Sequence, residues 1–371
     1  MRPKQEGQIY SRVYEERPEY ADYDSEKKFE ALQGIIMTRL QQHPNAICSY
    51  SGGSDSDIML DLLERTRAMI PGHFAPIKYV FFNTGLEMEA TKRHVKEVAE
   101  KYGVEIIQAR PKKNIVIATR DSGIPFLAKI VSNAMEYAQK YNVPFEIKEE
   151  YDAAEDKQAK FLELCERYPG AKRAVTFLCC CNNSGEPRPE IQLVIGSNKY
   201  LYEYMRDNPP AFRMSAKCCD YCKKQLAHRM QKGYEMVITG ERRDEGGMRS
   251  VPKVFDDPSE TMCFYTQGDQ YRFRPLFFVS DKDKDWYKRR YGIRYSDAYE
   301  VYGLKRTGCC GCSISAKAIQ DLEKIRPYEP NLVKAAWKVF GDSYRYRQGY
   351  NEYKAKMRQK ESGQMSFFDE E

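Results

Sequence analysis

The stretch Ser51-Gly-Gly-Ser-Asp-Ser56 follows a short apolar run and opens a helical one. Glycines let a backbone come close to a ligand, successive N–H groups converge, and a helix start adds partial positive charge. Ser51, Gly52, Gly53, Ser54, Asp55 and Ser56 can therefore cradle phosphate oxygens, with the serine hydroxyls as further donors. The Gly-Lys-Ser/Thr ending of the common lysine-bearing ATPase loop is absent. The same residues would also make a plain strand-to-helix turn capped by Ser54 or Asp55.

Twelve cysteines supply the second chemistry. They group as Cys179-Cys180-Cys181, Cys218-Cys219 with Cys222, and Cys309-Cys310 with Cys312. Paired cysteines followed later by C-x-x-C can give four thiolates, Cys218, Cys219, Cys309 and Cys312, to one soft metal or cluster. With Cys222 as the alternative ligand, two C-x-x-C knuckles suit tetrahedral zinc equally. The triple cysteine has no spacing argument and stays unassigned.

Several elements must position these groups. Ala46–Tyr50, Ile77–Phe82 and Val104–Ala109 read as strands, and Phe29–Gln42, Ser54–Met69 and Glu87–Tyr102 as helices, the last with Gly103 in the C-cap position. Strands alternating with helices predict a parallel sheet. From Pro111 to Pro210 the pattern weakens into helical pieces. Order returns with a helix over Lys217–Lys232, a strand over Glu235–Thr239 ending at Gly240 and a strand near Arg272–Val279. Helices near Lys282–Tyr291, Ala316–Ile325 and Asn331–Phe340 follow, and a mobile tail is expected from Tyr350 on.

At 371 residues and 42% hydrophobic content the chain can build a full core. No stretch approaches the roughly 20 apolar residues of a membrane span, the first residues carry no signal-like segment, and the expected location is the cytoplasm. Cytosolic thiols stay reduced, which favours metal or redox roles over disulfides. A net charge of +6 suits an anionic partner or simple solubility, leaving nucleotide, RNA and DNA open.

The Ser51–Ser56 loop resembles the S-G-G-x-D-S signature of the PP-loop ATP pyrophosphatases. The likeness extends over about Asn45 to Ser315 to the phosphoadenylyl-sulfate (PAPS) and adenylyl-sulfate reductase group. Asn83-Thr84-Gly85 with Thr91 resembles that group's D-T-G segment, Asn83 replacing the usual aspartate. Thr239-Gly240-Glu241-Arg242 resembles its T-G-x-R segment, with Arg243 and Arg249 beyond, and Arg274-Pro275-Leu276, Trp286 and Gly308-Cys309 follow its later landmarks. The resemblance implies an adenine nucleotide α-hydrolase-like (Rossmann-like) α/β fold, a parallel sheet with flanking helices, joined by a Cys-rich region and a helical C-terminus. It implies an enzyme acting at the adenylyl α-phosphate of ATP or a sulfonucleotide (adenylyl sulfate or PAPS), with Mg²⁺ offsetting charge. Ser51, Gly52, Gly53, Ser54, Asp55, Ser56, Thr84, Gly85, Gly240 and Arg242 would hold the nucleotide, Asp55 and Arg242 being the catalytic candidates. Cys218, Cys219, Cys309 and Cys312 match the pattern that holds a [4Fe-4S] cluster in adenylyl-sulfate reductases, Lys217 matching the lysine before the pair; Zn²⁺ stays the alternative.

The reductases' catalytic cysteine near the C-terminus, in a segment E-C-G-x-H, has no counterpart after Cys312. Either another cysteine attacks sulfur or the reaction is a different sulfur transfer, for which relatives acting on DNA and tRNA offer the analogy, with a sulfur-donor protein as partner. A genuine sulfonucleotide reductase using Cys179, Cys180, Cys181 or Cys310, and a non-catalytic DNA-associated regulator, are the rivals. The end peptide with Gln364, Met365, Phe367 and Phe368 resembles sliding-clamp docking peptides. The expected organisation is a helical extension over 1–44 and a nucleotide-binding domain over 45–250 with a helical insertion at about 111–210. Its C-terminal part follows over 251–325, then a helix and flexible tail over 326–371.

Overall fold

The structure is a computed structural model that describes residues 18–188, 200–246, 255, 257 and 259–368, with side chains as far as Ser362. The chain forms two compact units, one made of Met1–Pro111 with Gln225–Gly308, the other of Lys112–Lys224 with Cys309–Glu371.

The first unit is built on six strands: β1 (Ala46–Ser49), β2 (Lys78–Phe82), β3 (Ile106–Ala109), β4 (Met236–Thr239), β5 (Phe264–Gln267) and β6 (Gln270–Phe273), in the order β3-β2-β1-β4-β6-β5. All neighbours run parallel except the hairpin partners β5 and β6. Helices α1 (Ser25–Gln42), α2 (Ser54–Ala68) and α3 (Glu89–Tyr102) precede and connect the first strands. Side chains alternate across the sheet as the pleat demands. Cys48, Tyr79, Phe81, Met236 and Ile238 join Leu32, Ile36, Leu40, Leu62 and Leu63 of α1 and α2 in the larger core. Ile47, Val80 and Val237 instead pack with Ala109 and with Leu226 of the helix Gln225–Gln231. Burial on both faces is the condition a parallel sheet requires.

The expected strands and helices of this unit are present, with shifted ends. The reading near Arg272–Val279 needs correction: the strand is Gln270–Phe273, the second arm of a hairpin turned at Gly268, whose φ is +67°. The short arms and the aromatic run after Phe273 blurred that turn.

The second unit is helical. Helices Ile115–Ser122, Lys129–Lys140, Ile147–Ala153, Lys157–Arg167, Lys172–Leu178 and Leu201–Asp207 surround Phe126, Met135, Phe161, Leu164, Val175 and Met214. The expected stop at Phe340 and loose tail from Tyr350 are overturned: one helix runs Pro330–Phe368. Tyr346, Tyr350, Tyr353 and Met357 recur at four- and three-residue steps along it, and Tyr350 is fully buried with the others packed beside it. The side chains of Gln364, Met365, Phe367 and Phe368, like all of Arg249, lie outside the described residues.

Leu62 is fully buried in α2. Leu62→Ala is expected to lower unfolding free energy by about 2–5 kcal/mol in urea titration, the usual result of opening a core cavity.

Candidate functional site

The loop after β1 lies where the strand order reverses, β1 standing between β2 and β4. In open α/β sheets such switch points host ligands at the carboxyl ends of the strands. Tyr50 continues the β1 pairing through its N–H to Val80 O (2.9 Å), after which the chain turns. Gly52 has φ +64°, and a Cβ on it would stand 2.8 Å from Thr91 Cγ2, so only glycine seats the turn against α3.

Ser56 organises the loop from inside. Its Oγ lies 3.3 Å from the Ser51 amide and 3.0 Å from the Gly53 amide, both donating to it, and it donates to Gly53 O at 2.8 Å. Ser51 Oγ lies 2.9 Å from Ser56 Oγ. Asp57 N–H to Gly53 O makes the first helical bond at 3.0 Å, so the amides of Asp55 and Ser56 sit in the first turn, where a helix offers them no carbonyl.

Asp55 is held from two sides. Arg242, just beyond β4, reaches its Oδ1 through Nε at 2.9 Å, and Lys284, on the helix Asp281–Tyr291, reaches the same oxygen at 2.6 Å. Lys284 also donates to Ser54 Oγ at 2.6 Å. Arg242 is buried, which disfavours its charge, but Asp55 and Asp281 outweigh that and hold its pKa up. Tyr299 packs on the loop as well: a Cβ on Gly53 would sit 2.9 Å from Thr307 Oγ1 and 3.1 Å from Tyr299 OH.

A second buried carboxylate braces the loop from behind. Asp57 Oδ1 accepts from Tyr50 OH at 2.5 Å and contacts His94 Nε2 of α3 at 3.0 Å, while Oδ2 is buried with no partner among the described residues. Tyr295 OH is likewise buried and unpartnered among the described residues, and burial followed by the charges of Asp57 and Asp55 pushes its pKa up, so it stays protonated.

Thr84 and Gly85 stand past the end of β2. Thr84 Oγ1 donates to Glu87 Oε1 at 2.8 Å and Gly85 N–H to Asn83 Oδ1 at 3.0 Å, with Gly85 at φ +95°. Gly240 has a packing reason: a Cβ there would be 3.2 Å from Asp55 O, so its absence lets the end of β4 lie against the start of α2. Arg243 contributes its amide to Phe277 O.

The cysteine groups belong to the helical unit. Cys218 and Cys219 close the short helix Lys217–Cys219, which runs into a π-turn, Asp220–Lys224. Cys222 Sγ points to Lys113 O at 3.4 Å. The Cys218 thiol, through a hydrogen bond, lowers the pKa of the Cys219 thiol, aided by Lys129 and Lys223. The same bond, burial, and the charges of Cys219, Cys312 and Cys309 drive Cys218 upward. The charges of Cys219, Cys312 and Cys309 thus reach Cys218, and thiolates are the donor type a soft metal or cluster takes. Among the described residues no group of three or more His, Cys, Asp or Glu side chains is arranged to hold a metal ion.

The triple cysteine is different. Cys179, Cys180 and Cys181 are buried, and burial first of all raises all three thiols, Cys181 to about 12. Protonated, enclosed thiols make poor nucleophiles.

The phosphoadenosine phosphosulfate reductase domain profile matches residues 45–142 and 190–315, more than half of the chain. The chain belongs to the phosphoadenosine phosphosulfate reductase domain family. It thus shares the PAPS reductase-like, nucleotide-binding fold within the PP-loop superfamily. Among solved structures it is similar to the phosphoadenylyl-sulfate (PAPS) reductase of Candida auris in a phosphate complex, at 14% identity and TM-score 0.37, covering 77% of this chain and 96% of that one. It is also similar to the U34-tRNA thiolase NcsA of Methanococcus maripaludis with its [4Fe-4S] cluster, at 11% and 0.34, covering 89% and 81%. The NMN synthetase of Francisella tularensis follows at 15% and 0.22, covering 57% and 97%. At these scores the likenesses carry no residue roles or substrates to this chain. No curated protein matches the sequence significantly. No helix among the described residues is long and apolar enough to cross a membrane.

The family's matched region contains the loop, Arg242 and the two paired cysteine groups. Lys284, Asp57, His94, Tyr299 and Thr307 were not legible as site residues. Lys284 lies in the run Asp281-Lys-Asp-Lys-Asp285, which reads as a solvated face. Asp57 had one signal, a second acid two residues after Asp55 just before the apolar run Ile58-Met59-Leu60.

Tyr50→Phe removes a donor from a buried carboxylate whose other oxygen is already bare. A loss of about 1–3 kcal/mol in unfolding free energy is expected by urea titration; an unchanged midpoint would mean the brace contributes nothing.

Proposed function

We propose that the chain binds ATP or a sulfonucleotide at the Ser51–Ser56 loop and acts at its adenylyl α-phosphate in a sulfur-transfer reaction. One observation carries this reading: at the switch point of the sheet a glycine-hinged loop, the open first turn of α2 and two cations, Arg242 and Lys284, converge on the same few ångströms. That is a charge pattern for an anion with several oxygens.

In this reading the loop holds the pyrophosphate end, and catalysis is mainly positional and electrostatic. Asp55, held between two cations, would orient the cationic groups, and Mg²⁺ arriving with the nucleotide would offset phosphate charge. Cys218, Cys219, Cys309 and Cys312 would hold a [4Fe-4S] cluster, or Zn²⁺ in the alternative, which supplies sulfur-handling or structural chemistry when bound. Cys222, with its thiol on Lys113 O, is the lesser ligand candidate. The acceptor class is nucleic acid, DNA or tRNA, with a sulfur-donor protein as partner. The sliding-clamp peptide at Gln364–Phe368 remains a separate proposal on the sequence alone.

The reductase alternative needs a reactive thiol. The raised pKa values and burial of Cys179, Cys180 and Cys181 disfavour them for that role.

Protein purified without oxygen and incubated with ATP and Mg²⁺ is expected to release AMP and pyrophosphate when a sulfur donor and acceptor are supplied. Sulfite release from adenylyl sulfate or PAPS with thioredoxin would establish the reductase instead. Binding with no turnover of any of the three nucleotides would favour a regulator. Iron and acid-labile sulfide near four each per chain are expected, falling to background in Cys309→Ser, whereas zinc near one per chain would select the alternative.

A further inference from the structure

Both cations at the loop grip the same carboxylate oxygen, yet they are built differently. Arg242 is about 4% exposed, and every arm of its guanidinium is committed: Nε to Asp55 Oδ1 at 2.9 Å, Nη1 to Val279 O at 3.1 Å and Nη2 to Asp281 Oδ1 at 2.7 Å. A planar fork fixed at three points cannot turn to a ligand without abandoning a buried position. Lys284 makes only side-chain contacts, to Asp55 Oδ1 and Ser54 Oγ, both at 2.6 Å and both on the loop itself. Its ammonium is a point charge on a flexible stem, with the Tyr295 ring 5.7 Å away.

The helix carrying Lys284 is firmly set. Ser280 Oγ caps it, accepting from Asp283 N–H at 3.2 Å, and the buried Asp283 carboxylate is paired with Lys28 at 2.6 Å. The Lys284 ammonium is thus carried to the loop on a fixed helix, by its own flexible stem.

We propose that Lys284 is the residue that engages the nucleotide's phosphates, and that Arg242 is a positioning residue that anchors Asp55. The assignment rests on the nucleotide reading above and changes the sequence-based choice of Arg242 as the phosphate contact. When polyphosphate arrives, Lys284 exchanges Asp55 for a phosphate oxygen. Arg242 stays on Asp55, so the carboxylate is never left unpaired, and the exchange costs the loop none of its internal bonds. Asp55 thereby stands in for phosphate in the free protein.

The test is calorimetric titration of the full chain with MgATP and, separately, adenosine, for wild type, Lys284→Gln, Lys284→Arg and Arg242→Gln, with thermal unfolding of each. Lys284→Gln is expected to weaken MgATP about 10- to 100-fold, the usual loss for one charge-assisted hydrogen bond, while leaving adenosine affinity and melting temperature near wild type. Lys284→Arg recovers most of the MgATP affinity. Arg242→Gln lowers the melting temperature and weakens both ligands together. Wild-type MgATP affinity in Lys284→Gln, or equal loss for adenosine, would overturn the assignment. If wild type itself binds neither ligand, the nucleotide reading fails and the assignment with it.

Discussion

The pairing of Asp55 with Arg242 and Lys284 ties together three places distant in the chain: the loop after β1, the exit of β4 and the helix Asp281–Tyr291. A carboxylate in the first turn of a helix is favoured by the helix dipole; Arg242 and Lys284 together balance Asp55 and Asp281, so the positive potential left at the loop comes from the helix start and the amides. The positive end of α2, the two cations and the loop amides thus face one small volume. Removing Asp55 would leave a buried guanidinium with Asp281, 80% exposed, as its remaining acid. The pairing is therefore both a structural clasp and the electrostatic definition of the site.

Behind the clasp the same helix buries two more acids. Asp57 takes Tyr50 and contacts His94, and Asp61 takes Arg65, Tyr102 and Tyr287. These bonds pin α2 to β1, α3 and the later helix, so that the loop has a fixed rear wall. A buried carboxylate with one oxygen unpartnered among the described residues is costly, and such a cost beside the glycine-hinged loop departs from a core chosen for stability alone.

The parallel sheet was legible because β1, β2 and β4 are short apolar runs bounded by turn residues, and the helices between them carry a strong period. The glycine-hinged loop was legible from two adjacent glycines between those elements. Lys284 was hidden because it meets the loop only through tertiary packing, across about 230 positions, in a segment of alternating charge. The hairpin at Gly268 escaped because its arms are four residues each and flow into an aromatic run. The long terminal helix escaped because its apolar stripe is made of tyrosines and a methionine in an otherwise charged segment. Spacing alone could not show that Cys218 and Cys219 end a short helix that runs into a π-turn.

The central claim is best tested by a crystal structure of the protein with MgATP or a non-hydrolysable analogue. The account predicts terminal phosphates within hydrogen-bonding distance of the loop between Ser51 and Ser56, beside the first turn of α2. A nucleotide bound elsewhere on a well-ordered protein, with that loop empty, would contradict it.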